Sequence, residues 1–215
     1  MTLYIMRHGE TAWNVLRRFQ GRSDIPLNEK GIALAEVTAR GLADVPFDLA
    51  FTSPLSRARR TAEIVLRGRD VPLADEPRLI EIAFGAYEGR SALPTAWDPE
   101  PDDNLLRFLR DPERYVPPED GESIPAFRAR AEAYLEELCG KDEWADKTIL
   151  LSTHGGVTTA LLDAIDPPEG YFWREGVPYN CSYAVVEVTD GVPELVAENQ
   201  ICYPAPQDLY RQAGR

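Results

Sequence analysis

Histidine, cysteine and positive charge are all scarce in this chain. It has two histidines, three cysteines, and 23 Lys plus Arg against 36 Asp plus Glu, a net charge of -13 over 215 residues. Cys139, Cys181 and Cys202 are odd in number and lack CxxC spacing, which excludes a disulfide framework and a zinc ribbon and fits a reducing cytoplasm. No arginine stands six residues after any of them, so a thiol phosphatase loop is excluded as well. The acidic balance opposes nucleic acid and anionic membrane, so an anionic substrate needs a local basic pocket. No apolar run approaches the roughly 20 residues of a membrane span. Met1 to His8 is too short for a signal sequence, and a soluble cytoplasmic protein is expected. GxxxxGK[ST], HExxH and EF-hand patterns are missing. The acidic run Asp98, Glu100, Asp102 and Asp103 reads as solvated loop, so neither metal nor cofactor is expected.

What the chain does have is a 44% hydrophobic content, enough to bury a substantial core, and one domain over residues 1–215 is expected. Leu3 to Met6, Leu49 to Phe51 and Thr148 to Leu151 are short, nearly continuous apolar runs, as in strands covered on both faces. Helical spacing follows Asn28, a plausible N-cap, through Ile32, Ala35, Ala39 and Leu42. Pro54 is read as opening a second helix carrying Ala58, Ala62 and Val65. Ile124, Phe127, Ala131, Tyr134 and Leu138 form the clearest amphipathic stripe, and Val157 to Ile165 a further helix stopped by Asp166 and Pro167. Ser182 to Val188 and Leu195 to Ala197 read as a hairpin whose Pro193 marks an edge strand. The alternation predicts an α/β fold, a three-layer α/β/α sandwich with a mostly parallel central sheet. The proline-rich stretch at about 90–122, with a short helix near Leu105 to Leu109, is read as a lid insertion.

Three signals fall where apolar strands end. RHGE (Arg7 to Glu10), TSPLSRA (Thr52 to Ala58) and THGG (Thr153 to Gly156) would converge on one sheet edge if their strands are parallel neighbours. Both histidines sit there, His8 and His154, with Arg7 and Arg57. Arginine offers planar donors that match phosphate oxygens, and a neutral imidazole is a nucleophile while a protonated one donates. Such a set suits phosphoryl transfer through a phosphohistidine, with cations stabilising the equatorial oxygens. Glu81, between Ile80 and Ile82, is the candidate proton donor, because apolar neighbours raise a carboxyl pKa. A bland reading competes at each place: HG is commonly a turn, Glu81 could be an exposed edge-strand carboxylate, and Arg59 and Arg60 read as a solvated helix face.

Taken together, RHGETAWN (Arg7 to Asn14), TSPLSRARRTA (Thr52 to Ala62), the Glu81 segment ending in YEG, DGES (Asp120 to Ser123) and STHGG (Ser152 to Gly156) resemble the histidine phosphatase superfamily, in the branch shared with cofactor-dependent phosphoglycerate mutases. The resemblance covers roughly residues 2 to 200 and implies a phosphoglycerate mutase-like fold. It implies His8 as the phosphorylated nucleophile, Arg7, Arg57 and His154 as holders of the phosphoryl oxygens, and Glu81 as acid and base. Asn14, Gln20 and Gly21 match positions at the phosphoryl group or the substrate beside it, and the main chain at Gly155 would face the pocket. The expected function is a metal-independent phosphomonoesterase acting on a small phosphorylated metabolite. A phosphoglycerate mutase and a non-catalytic phosphate-binding module are the alternatives, and a homodimer is left open. The short lid favours the phosphatase, whereas Arg107, Arg110 and Arg114 within it keep recognition of a phosphorylated acid open. The tail departs from many phosphatases of this type, since Asn199 is followed by Gln200, Ile201 and Cys202 rather than by a histidine.

Overall fold

Alternation along the inner strands sorts the core onto two faces of one sheet. The computed structural model describes residues 1–205 except 97, 101, 169–173 and 175. The chain runs β1 (Thr2–Arg7), α1 (Ala12–Val15), α2 (Glu29–Gly41), β2 (Leu49–Thr52), α3 (Ser56–Val65), β3 (Leu73–Asp75), α4 (Asp103–Arg110), α5 (Ile124–Cys139), β4 (Thr148–Thr153), α6 (Gly155–Ile165), β5 (Tyr183–Thr189) and β6 (Val192–Gln200). Leu3 and Ile5 of β1 and Ile149 and Leu151 of β4 pack with Phe127, Ala131 and Leu135 of α5 and Val157 and Leu161 of α6. Met6 and Leu150 face the other way, onto Ala62 and Val65 of α3 and Leu42 at the end of α2. Helices therefore cover both faces, which is why the central strands read as continuous apolar runs. The arrangement is the α/β sandwich that the alternation predicts.

The sheet order is β3-β2-β4-β1-β5-β6. β1, β4, β2 and β3 pair in parallel, β5 runs antiparallel to β1, and β6 closes the edge with Pro193 in it. β4 thus lies between β1 and β2, and the carboxyl ends of all three lie side by side. β3, a three-residue strand with two exposed positions, has no apolar signature and was missed by the sequence reading.

Local chemistry sets the helix starts. Asn28 Oδ1 accepts the Gly31 N–H at 2.7 Å and Ser123 Oγ the Ala126 N–H at 3.3 Å. Such caps contribute about 1 kcal/mol each. Pro54 does not open α3 as read from sequence, because Leu55 is the N-cap and the helix starts at Ser56. The lid holds a longer helix than the sequence suggested, α4, capped by Asp102, whose carboxylate accepts the Asn104 N–H at 2.7 Å. Asp98 is not solvated loop: it is buried and takes the Arg90 guanidinium at 2.9 and 3.2 Å. A charge brought under a lid stays there only when paired.

Candidate active site

The backbone ladder fixes the groups at the sheet edge. His8 N–H donates to Thr153 O and Ser53 N–H to Ser152 O, both at 2.9 Å, so the residues that follow β1, β2 and β4 are locked in register. His8, Ser53 and His154 consequently meet, with the two imidazole centroids 5.2 Å apart and their planes at 63°.

His8 is buried, and its Nδ1–H donates to the Gly9 carbonyl at 2.7 Å. That leaves a lone pair on Nε2, which accepts the Arg57 Nε–H at 3.2 Å. Burial, then the charges of Arg57 and Arg7, hold the His8 pKa well below the ordinary histidine value, so the ring is neutral and nucleophilic at pH 7. Arg57 is the largest fully buried side chain among the described residues, at 0% exposure. Its Nη1 and Nη2 donate to the carbonyls of Ser23 and Gly21, both at 2.8 Å. Burial lowers its pKa to about 10, which leaves it cationic at neutral pH. Arg59 and Arg60, two and three helix positions further, are 40% and 52% exposed at the side chain and pair with surface carboxylates, as the helical angle requires.

Glu81 is not on a strand. It sits in the irregular segment after the short 3-10 turn Pro77–Leu79, and that segment is pinned from outside by Arg130 of α5. Arg130 donates to the carbonyls of Arg78 and Ile80 at 2.6 and 2.9 Å and pairs with Glu122. The Glu81 carboxylate accepts the Ile82 and Gly156 N–H groups, each at 3.1 Å. A Cβ on Gly156 would lie 2.5 Å from Glu81 Oε1, so the carboxylate reaches the amino end of α6 only across a glycine. Burial raises the Glu81 pKa, and the two backbone donors only partly oppose it. A protonated carboxyl is thereby kept at higher pH than usual.

Arg7 ends β1 and donates from Nη1 to Pro178 O. Asn14 Oδ1 accepts from Thr11 and from Asn180 Nδ2, and the buried Gln20 accepts the Thr11 hydroxyl at 3.0 Å. A cavity of about 590 Å³ opens here, lined by Arg7, His8, Asn14, Gln20, Gly21, Arg57, Glu81 and Gly155 among others. The eight sequence candidates just named therefore share one wall. His154 stands apart: fully buried, it lies beside His8 but is not among the lining residues.

Several contributors are not among the candidates named from the sequence. Asn180 donates to the His8 carbonyl at 3.1 Å, and Thr61 Oγ accepts the Gly9 N–H at 3.0 Å. Tyr203 donates to Asn180 O, so the tail reaches the cavity through a tyrosine although it lacks the histidine. YEG and DGES act as fasteners. Glu88 accepts the N–H groups of Arg22, Ser23 and Phe84 at 2.9, 2.7 and 3.2 Å, and Asp120 accepts that of Ala86 at 3.2 Å. The carbonyls that cradle Arg57 are held in place by Glu88.

Gly21 makes that cradle possible. Its φ is +52°, and a Cβ there would lie 2.2 Å from Glu88 Oε1. Gly21→Ala is therefore expected to destabilise the protein by about 1–3 kcal/mol, combining left-handed strain with lost hydrogen bonds to Glu88. It should also lower kcat/KM because Arg57 loses its seat. Urea unfolding and steady-state kinetics check both; wild-type values in both would refute this account of the glycine.

Comparison with known proteins places this site in context. The chain is 33% identical over 201 residues to an adenosylcobalamin/alpha-ribazole phosphatase of Salmonella typhimurium, covering 93% of this chain and 96% of that one. It is 34% identical over 167 residues to a 2,3-bisphosphoglycerate-dependent phosphoglycerate mutase 2 of Gloeobacter violaceus, covering 76% and 75%. The solved structure of Bacillus stearothermophilus YhfR superposes with a TM-score of 0.83 at 34% identity, over 93% of this chain and 97% of that chain. The sequence pattern of the histidine phosphatase superfamily (branch 1) matches residues 3–201, and the chain belongs to that family.

Proposed function

We propose that the protein is a phosphomonoesterase that hydrolyses a small phosphorylated metabolite through a phosphohistidine on His8, with no metal, in one cytoplasmic domain of residues 1–215. The observation that carries this reading is the His8 ring itself. Its Nδ1–H is spent on Gly9 O, and its Nε2 lone pair accepts only from a buried arginine, beside a cavity that also holds a carboxyl of raised pKa. His8 Nε2 attacks phosphorus, the bond to the alcohol oxygen breaks, and Glu81 gives its proton to that oxygen. The Glu81 carboxylate then takes a proton from water, whose oxygen attacks phosphorus and frees Nε2 with release of phosphate. Arg7 and Arg57 stabilise the charge spread over the equatorial oxygens. Asn14, Gln20 and the Gly155 main chain line the substrate's place, and His154 supports the phosphoryl group from behind the wall.

Three features favour hydrolysis over mutase action. Two relatives that each cover more than 90% of this chain carry phosphatase names, an adenosylcobalamin/alpha-ribazole phosphatase and a phosphoserine phosphatase. The lid arginines Arg107, Arg110 and Arg114 are not among the lining residues, and Arg114 pairs with Asp111 at 3.5 Å. The cavity walls include Trp13, Phe84, Phe108 and Tyr179, and ~590 Å³ is in the range of about 300–1,000 Å³ that takes a drug-sized ligand. The substrate alcohol is accordingly larger and less polar than a three-carbon acid. The mutase reading draws on Arg17 and Arg18 in the same wall, which could meet a substrate carboxylate, and on the mutase relative.

A panel of phosphate esters assayed with EDTA, beside a phosphoglycerate isomerisation assay, tests the proposal. Hydrolysis should survive EDTA and rise with the size of an apolar alcohol group. Isomerisation faster than phosphate release would overturn it. Activity should also trace a bell against pH. The acid limb lies below the ordinary histidine pKa, because His8 resists protonation, and the alkaline limb lies above the ordinary carboxyl pKa, where Glu81 loses its proton. Glu81→Gln should abolish the alkaline limb and lower kcat by about 10²–10⁴-fold.

A further inference from the structure

The two ring nitrogens of His154 have unequal surroundings. Nε2 lies 2.7 Å from Ser53 Oγ, whereas Nδ1 is buried and has no hydrogen-bond partner among the described residues. Ser53 is fully buried too, and its oxygen already accepts the Leu55 N–H at 3.3 Å. A serine hydroxyl has one proton to give and two lone pairs to receive with, and a neutral imidazole has one N–H and one lone pair.

Two arrangements are conceivable. If Nε2–H donates to Ser53, the hydroxyl proton has no acceptor among the described residues and Nδ1 is left as a buried lone pair, so two polar groups go unsatisfied. If Ser53 O–H donates to Nε2, a single group is left over, the Nδ1–H. Buried polar groups are nearly always paired, so the second arrangement prevails. The ring is neutral in either case, since burial and the charges of Arg57 and Arg7 oppose its protonation.

We propose that Ser53 is a positioning residue: its hydroxyl fixes His154 as the Nδ1–H tautomer, reserving that N–H for the phosphoryl group carried by His8, 5.2 Å away between ring centroids. This rests on the phosphatase reading for its purpose but not for its observation. Burial and the neighbouring cations also disfavour an imidazolium at His154 in the resting site. The donor is a neutral imidazole whose free nitrogen is chosen by a serine, as the orientation of a histidine is commonly set by what its other nitrogen binds.

The chain has only two histidines, which makes the test direct. In a long-range proton–nitrogen NMR spectrum of the ¹⁵N-labelled protein at neutral pH, with His8→Ala assigning the signals, His154 should show a protonated Nδ1 and a bare Nε2. Ser53→Ala should move the ring toward the Nε2–H form and lower kcat about 10- to 100-fold, as loss of a preorganised donor does. Ser53→Thr, which keeps the hydroxyl, should restore the tautomer and most of the rate. A wild-type ring with a protonated Nε2, or an imidazolium, would overturn the proposal whether or not the variants fold. So would an unchanged tautomer and rate in Ser53→Ala. Absence of phosphatase activity together with the expected tautomer would strike the functional reading and leave the Ser53–His154 bond standing.

Discussion

His8→Ala should lower kcat by at least about 10⁴-fold while the protein stays folded, since loss of a covalent nucleophile commonly costs that much. Among the described residues the imidazole makes two hydrogen bonds, to Gly9 O and from Arg57 Nε, and it borders an existing cavity that water can fill. Its removal therefore leaves no closed void, and Tm should move by only roughly a few degrees. Quenched-flow trapping of an acid-labile, base-stable phosphoryl protein should succeed with the wild type and fail with the variant. Hydrolysis retained within tenfold would end the covalent scheme on His8.

Arg57→Ala should fail in two ways at once. A residue just past a strand end can often be replaced without harm to the fold, but Arg57 is wholly buried and is the donor to two loop carbonyls as well as to His8. Removing it orphans Gly21 O and Ser23 O, and each unsatisfied buried acceptor costs about 1–3 kcal/mol, part of which water entering from the cavity returns. Relief of a buried cation offsets a further share, as its pKa lowered to about 10 indicates. A net loss of about 1–3 kcal/mol in urea unfolding is expected, with kcat/KM down about 10³-fold from the missing transition-state charge. Arg57→Lys should recover little, because a single ammonium cannot reproduce a planar fork aimed at three acceptors. If Arg57→Ala were as stable as wild type, the cradle would be incidental.

Much of this was legible in the sequence because the signals are local. An apolar run followed by His-Gly marks a covered strand and the turn beyond it, and the run lengths gave β1, β2 and β4 to within about two residues. Helical angle alone separated Arg57 from Arg59 and Arg60. The parts that were not legible act across the chain. Glu88 fastens residues 66 positions away, Asn180 reaches His8 across 172, and Ser53 touches His154 across 101. None of these has a periodicity or a turn chemistry that announces it. Glu81 was ambiguous for a related reason. Its flanking isoleucines look the same on an edge strand and in the pinned irregular segment where it lies, and Arg130, which does the pinning, reads from sequence as one more charge away from the apolar stripe.

The position of β1 has a consequence for how the protein comes to be folded. Both of its sheet partners, β4 and β5, lie in the last third of the chain, starting at Thr148 and Tyr183. During synthesis the opening apolar strand must therefore wait with both edges bare until the far end emerges. Contacts of such sequence separation make folding slow and leave strand edges open to association in the interval. The two imidazoles can meet only once β4 has emerged to pair with β1.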